Sequence, residues 1–103
     1  MRLERVLEYI AANGHLDLKL DDLAKVAEMS RFHFARLFRV GMGVTPHRYL
    51  MDQRLQQAKT LLSLDTRSVT EVATETGFAN AGHFARAFRR HVGVSPTQWK
   101  RHS

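Results

Sequence analysis

The stretch HFARLFRVGMGVTP, beginning at His33, returns as HFARAFRRHVGVSP at His83, fifty residues further along a chain of 103. Between positions 33 and 49, nine of seventeen residues are identical at that offset, and the pairs Thr45/Ser95 and Tyr49/Trp99 are chemically close. Such self-similarity limits the architecture before any single residue does. Two copies are too few to stack into a solenoid. The repeat therefore predicts two similar units performing the same task side by side, within the length of one compact domain.

The repeated unit reads as helical. Leu3, Val6, Leu7, Ile10 and Ala11 have the spacing of one apolar helix face, and Asn13-Gly14 supplies a left-handed stop behind them. Leu20, Leu23, Ala24 and Ala27 mark a short second helix, with Asp21 and Asp22 in its dipole-favoured first turn. Ser30 is placed to cap a third helix running to Val40, with Gly41 or Gly43 at its end. Thr45-Pro46 restarts the chain with a capping hydroxyl and proline at the first helical position. The long helix that follows, to Ser63, carries Met51, Leu55, Ala58 and Leu62 on one face.

The second half repeats this grammar. Ser68-x-x-Glu71 is a capping box, Gly77 ends the short helix it opens, Asn80 caps the next, and Ser95-Pro96-x-Gln98 opens a last one. No stretch alternates as a strand. The expectation is an all-α fold of seven helices, with a helix-turn-helix subdomain at 1–45, a linker helix at 46–63 and a second helix-turn-helix subdomain at 64–103.

Charge narrows the partners. Sixteen Lys and Arg against ten Asp and Glu leave a net +6, and arginine heavily outnumbers lysine. Acids sit ahead of each repeat, at Asp17, Asp21, Asp22 and Glu28, then at Glu71 and Glu75. Between Arg31 and Arg54 the only acid is Asp52, and none follows Glu75. A basic surface separated from an acidic one is the footprint of a polyanion partner, with ordinary solubilising charge as the plainer alternative. The absence of cysteine removes disulfides, thiolate nucleophiles and cysteine-ligated zinc together. No apolar run approaches membrane-spanning length, and the opening MRLERVLEYIAANG lacks the apolar block of a signal peptide. The working expectation is a soluble cytoplasmic protein, with no membrane partner and no cofactor.

Helical phase then assigns the faces. With residues placed at steps of about 100°, Phe34, Leu37 and Phe38 form an inward cluster. Phe32, Arg36 and Arg39 fall opposite, flanked by His33 and Ala35. In the second copy Phe84, Ala87 and Phe88 point inward, and Gly82, Arg86 and Arg89 outward, flanked by His83 and Ala85. A short helix, a tight turn and a second helix with arginine on its free face make a helix-turn-helix, whose second helix enters the DNA major groove. An arginine fork can bond guanine O6 and N7 together, discriminating by about 1–3 kcal/mol per good pair. Small neighbours such as Ala35, Ala85 and Gly82 let the helix sit close to the base edges. An exposed arginine on one helix would be unremarkable; the same arginine at the same phase in both copies favours base contact. Phe32 fits contact with a thymine methyl or a sugar, or else packing on a neighbouring loop. Arg31, Arg39, Arg89 and Arg90 suit the phosphate backbone, as helix flanks do.

These residues resemble the DNA-binding domain of AraC/XylS-type transcription regulators, over practically the whole chain from Leu3 to Lys100. The most specific part is VTEVATETGFANAGHFARAFRRHVGVSPTQWK, with its Ala73…Gly77-Phe78 turn, its Phe84-x-Arg86-x-Phe88-Arg89 block and its Gly93-x-Ser95-Pro96 ending. The resemblance implies seven helices in two helix-turn-helix subdomains bridged by a long helix. It implies base contacts from Arg31, Phe32, Ala35 and Arg36, then from Ala81, Gly82, His83 and Arg86. Ser30, Arg39, Arg48, Asn80, Arg89 and Arg90 are the phosphate candidates. The second base-facing set is poor in hydrogen-bonding side chains, which weights that helix toward backbone contact and DNA shape. Lys19 stands where a capping Ser or Thr is expected. The linker helix spans about 26 Å, against about 34 Å between adjacent groove faces on straight DNA, so reading heads held closer than that would bend the duplex toward the protein. The expected partner is double-stranded DNA, read by a monomer, with the acid-rich segment 17–22 as a candidate surface for RNA polymerase. A stand-alone regulator and a domain of a longer one both fit.

Three other classes are weaker. An enzyme lacks any phosphate-cradling glycine loop, nucleophile signature or clustered carboxylates. A metal site lacks ligand clusters, since His83 and His91 are eight apart among arginines. The second rival, a sequence-indifferent architectural DNA binder, fits the charge equally well, but the paired arginine-bearing helices fit base reading better. The third is a protein-interaction module whose basic face meets an acidic partner, which a shallow salt dependence on every duplex would favour.

Overall fold

A computed structural model of the chain describes residues 2–64 and 66–102. Seven helices form and, among the described residues, no strand. They are α1 Arg2–Asn13, α2 Leu20–Val26, α3 Arg31–Met42, α4 Pro46–Leu64, α5 Val69–Glu75, α6 Ala81–Val92 and α7 Pro96–Arg101. None of them is long and apolar enough to cross a membrane. The chain divides into two compact units, Met1–Gln53 and Arg54–Ser103, so the boundary falls within α4.

In the first unit, Val6 and Ile10 of α1 meet Leu23 and Ala24 of α2, Phe34 and Phe38 of α3 and Leu50 of α4 in one buried cluster. Phe38 stacks edge-on against Phe34 at 5.7 Å and against Tyr49 at 5.6 Å. The second unit buries Leu55, Ala58, Leu62, Val72, Ala73, Phe78, Phe84, Ala87 and Phe88. Its aromatic rings form a chain of contacts, Phe78–Phe84 at 5.1 Å, Phe84–Phe88 at 5.6 Å and Phe88–Trp99 at 6.1 Å. The Trp99 indole N–H donates to the Lys59 carbonyl and the Ser63 hydroxyl, and the Lys59 ammonium lies 5.4 Å from the ring centre. Buried Thr76 donates its hydroxyl to the Val72 carbonyl at 2.7 Å, so its polar atom is satisfied.

The caps follow the side chains expected of them. Ser30 Oγ accepts from the His33 N–H, Asn80 Oδ1 from the His83 N–H, and Thr45 Oγ1 from the Arg48 N–H. Ser68/Glu71 and Ser95/Gln98 close reciprocal capping boxes. Lys19 has no hydroxyl to accept the Asp22 N–H, so its own carbonyl accepts it at 3.0 Å, while the Asp22 carboxylate accepts the Lys19 N–H at 2.9 Å.

Three expectations need correction. Leu37 is 38% exposed, because the burial axis runs between Phe34 and Phe38 and Leu37 lies roughly 80° from it; Ala87, at the same phase in α6, is small enough to pack. Ala11, placed on the apolar stripe of α1, is exposed, and Val6 and Ile10 carry the burial. Gly14 is not in the left-handed region. Its lack of a side chain matters because a Cβ there would meet the Ile10 carbonyl oxygen at 2.8 Å. The left-handed stop of α3 is Gly43 (φ 77°), three residues beyond Val40, while Gly41 lies within the helix, and Gly93 (φ 98°) ends α6 in the same way.

Candidate nucleic-acid interface

Each unit contains a seven-residue helix, a turn and a twelve-residue helix: α2–α3 in the first and α5–α6 in the second. The turns share one hydrogen-bond plan. The Met29 N–H donates to the Ala24 carbonyl and the Phe78 N–H to the Ala73 carbonyl, each at 3.0 Å. In each turn the residue before that donor, Glu28 (φ 57°) or Gly77 (φ 93°), is left-handed. With Phe34/Phe38 and Phe84/Phe88 buried, the phase of α3 and α6 is locked and their opposite faces are left to solvent.

On α3 that free face presents Phe32, 82% exposed, together with Arg36 and Arg39. No neighbouring loop covers Phe32. Val40, 78% exposed, continues the face at its C-terminal end and was not singled out by the sequence pattern; an apolar residue on the arginine side of the helix is the signal that would have found it. Ala35 is half-buried beside them. On α6 the face presents Gly82, Arg86, Arg89 and Arg90, all exposed, with Ala81 and Ala85 partly covered. The Arg86 guanidinium folds back along the helix, so that a Cβ on Gly82 would lie 3.3 Å from its Nη1. His83 is exposed, but its ring stands edge-on to Phe78 at 5.7 Å, which braces it.

The cations divide into two groups. Arg36, Arg39, Arg86, Arg89 and Arg90 form no ion pair among the described residues. Arg31 and Arg48 are engaged. Arg31 reaches Asp21 through two hydrogen bonds of 2.9 and 2.6 Å, and Arg48 pairs with Asp52 at 3.1 Å. The hydrogen bond from Arg31 holds the Asp21 carboxyl below its ordinary range and correspondingly raises the Arg31 guanidinium. Ser30 and Asn80 spend an oxygen lone pair on capping, which leaves the Ser30 hydroxyl proton and the Asn80 amide N–H groups able to donate outward. No cluster of three metal-ligating side chains exists among the described residues. Each unit thus presents a surface that suits polyanion binding, with unpaired guanidinium forks set among small or apolar neighbours.

Known proteins share this arrangement. Residues 23–102 match a family described as a helix-turn-helix domain. An uncharacterised HTH-type transcriptional regulator of Haemophilus influenzae is 35% identical over 100 residues, covering 97% of this chain and 34% of that protein. The probable transcriptional regulator LumQ of Photobacterium leiognathi is 36% identical over 101 residues, covering 96% of this chain and 41% of its own length. The chain thus spans about a third to two-fifths of these curated relatives. Among solved structures, the DNA-binding domain of the transcriptional factor AdpA in complex with a target DNA superimposes with a TM-score of 0.94 at 35% identity, over 98% of this chain and 91% of that one. An AraC-type transcriptional regulator from Chromobacterium violaceum gives 0.89 at 28% identity, over 97% and 89%. The chain belongs to the AraC-type helix-turn-helix family of DNA-binding domains.

Proposed function

We propose that this chain is the DNA-binding part of a transcription regulator, reading duplex DNA by sequence with α3 and α6 in consecutive major-groove segments. The observation that carries the reading is the pair of unpaired arginines, Arg36 and Arg86, at one phase on the free faces of two capped and aromatically anchored second helices. Arg36 with Phe32 and Ala35 is the principal base-reading set, with Arg31 held alongside by Asp21. On α6, Arg86 extends over Gly82 beside Ala81 and His83, a set that offers one strong hydrogen-bonding side chain and otherwise shape. Arg39, Arg48, Arg89, Arg90, Ser30 and Asn80 are assigned to phosphates. RNA polymerase contact through the segment 17–22 belongs to the same proposal, as does a nucleoid location and action as a monomer.

Selection of random duplexes by the chain at near-physiological salt, followed by sequencing, tests the reading. Two enriched blocks about one helical turn apart are expected. One block alone would leave α3 reading and α6 anchoring. Binding without enrichment, still falling with salt at about −0.9 log units per phosphate contact, would make the protein a sequence-indifferent DNA binder instead.

A further inference from the structure

The first unit contains a groove of about 680 Å3 beside the free face of α3, within the roughly 300–1,000 Å3 range of small-molecule sites. Its floor is aliphatic. Leu23 and Leu50 are buried, while Leu18 and Leu20 remain half-exposed along it. Its rim is cationic. Lys19, Arg36 and Arg39 are exposed side chains that line it and form no ion pair among the described residues, and His47 lines it as well. No acidic residue is among its lining.

We propose that this groove binds a small amphipathic organic anion, with its hydrocarbon on the leucine floor and its carboxylate on the cationic rim. The two halves of the site select that chemistry together. A hydrocarbon tail is stabilised in proportion to the apolar area that such a floor removes from water, and a carboxylate gains charge-assisted, bidentate hydrogen bonds from an arginine fork. A neutral apolar molecule would use only the floor, a hydrophilic anion only the rim, and an amphipathic cation would meet three like charges. Because Arg36 and Arg39 also serve in the DNA contacts proposed above, ligand and duplex draw on the same side chains. Each therefore weakens the other by the same factor. That antagonism rests on the DNA reading; the site itself does not.

Decanoate below its micelle concentration is the probe, with decyltrimethylammonium as its charge-reversed counterpart, both titrated into the protein without DNA and followed by backbone amide shifts. Saturable shifts confined to residues 18–23, 35–39 and 45–50 are expected, with decanoate binding at least tenfold more tightly. Lys19→Glu should weaken decanoate at least threefold and leave decyltrimethylammonium no weaker. Ala35→Leu, which fills the groove from a helix position suited to leucine, should abolish decanoate shifts while the melting transition persists. Equal binding of the two amphiphiles, or shifts scattered over both units, would overturn the site. In a second titration with duplex present, saturating decanoate should raise the apparent Kd for DNA at least threefold. Groove binding with unchanged duplex affinity would overturn the antagonism alone, and failure to bind any duplex would overturn the DNA reading instead.

Discussion

The two helix-turn-helix units solve the same backbone problem with different residues. In the first, the left-handed turn position is Glu28 (φ 57°), and in the second it is Gly77 (φ 93°). A side chain at positive φ is strained, whereas glycine adopts it freely. The second turn is also one residue longer, since Phe34 follows Ala24 by ten positions and Phe84 follows Ala73 by eleven. The extra residue is Ala79, just ahead of the Asn80 cap. Further differences lie on the faces themselves. Phe32 and Val40 in α3 correspond to Gly82 and Arg90 in α6, and the Arg31–Asp21 pair has Ala81 and Thr70 in its place. What the two units keep in common is the aromatic anchor and the arginine one helical turn beyond the N-terminal positions. The anchor fixes the phase of the helix, and the phase determines which residues can meet a partner; the turn needs only to reverse the chain.

The largest effects expected are in the anchors. Phe38 and Phe88 are both fully buried, so Phe38→Ala and Phe88→Ala should each cost about 3–5 kcal/mol of stability, read by denaturant unfolding. If only one of them matters, the two units are not equivalent in how they hold their second helix. Next comes DNA recognition. Arg36→Ala should lose about 1–3 kcal/mol of discrimination at one or two base positions of the selected site, whereas Arg86→Ala should lower affinity with less change in base preference. An equal loss for Arg36→Ala on every duplex would reduce Arg36 to a phosphate contact and erase the difference between the heads.

The turns offer a smaller and opposed pair. Gly77→Ala should destabilise by about 1–2 kcal/mol, while Glu28→Gly should be stabilising by up to about 1 kcal/mol, relief of strain being offset in part by glycine's greater freedom when unfolded. A destabilising Glu28→Gly would show that its contact with Arg5, at 4.0 Å, outweighs the strain. The smallest effect belongs to Asp21→Asn. Asp21 is held below its ordinary pKa by the hydrogen bond from Arg31. The stability it contributes is therefore present above about pH 3.9 and lost as pH falls through its lower folded value. The difference in melting temperature between Asp21→Asn and the parent protein should shrink over that window. A difference that persists unchanged in acid would mean the pair does not act through charge.

Much of this molecule is legible in the sequence because the information is local. A helix face repeats within four residues, a cap bonds three residues ahead, and a glycine stop acts on the turn beside it. Thus the seven helices, the caps at Ser30, Asn80, Ser68 and Ser95, the buried pairs Phe34/Phe38 and Phe84/Phe88, and the outward phase of Arg36 and Arg86 could be placed from spacing and repetition alone. Tertiary packing decided the rest. Whether Leu37 or only its neighbours reach the core depends on the direction from which other helices approach α3. Gly14 is required by an approach to the Ile10 carbonyl rather than by a left-handed φ. Asp21 and Arg31, ten residues apart, meet only because α2 and α3 fold across one another. The leucine-floored groove likewise exists only when the segment before α2, the face of α3 and the start of α4 are brought together. Periodicity reports what a residue does to its own helix; which groups are paired, covered or left open is set by chain segments that arrive from elsewhere.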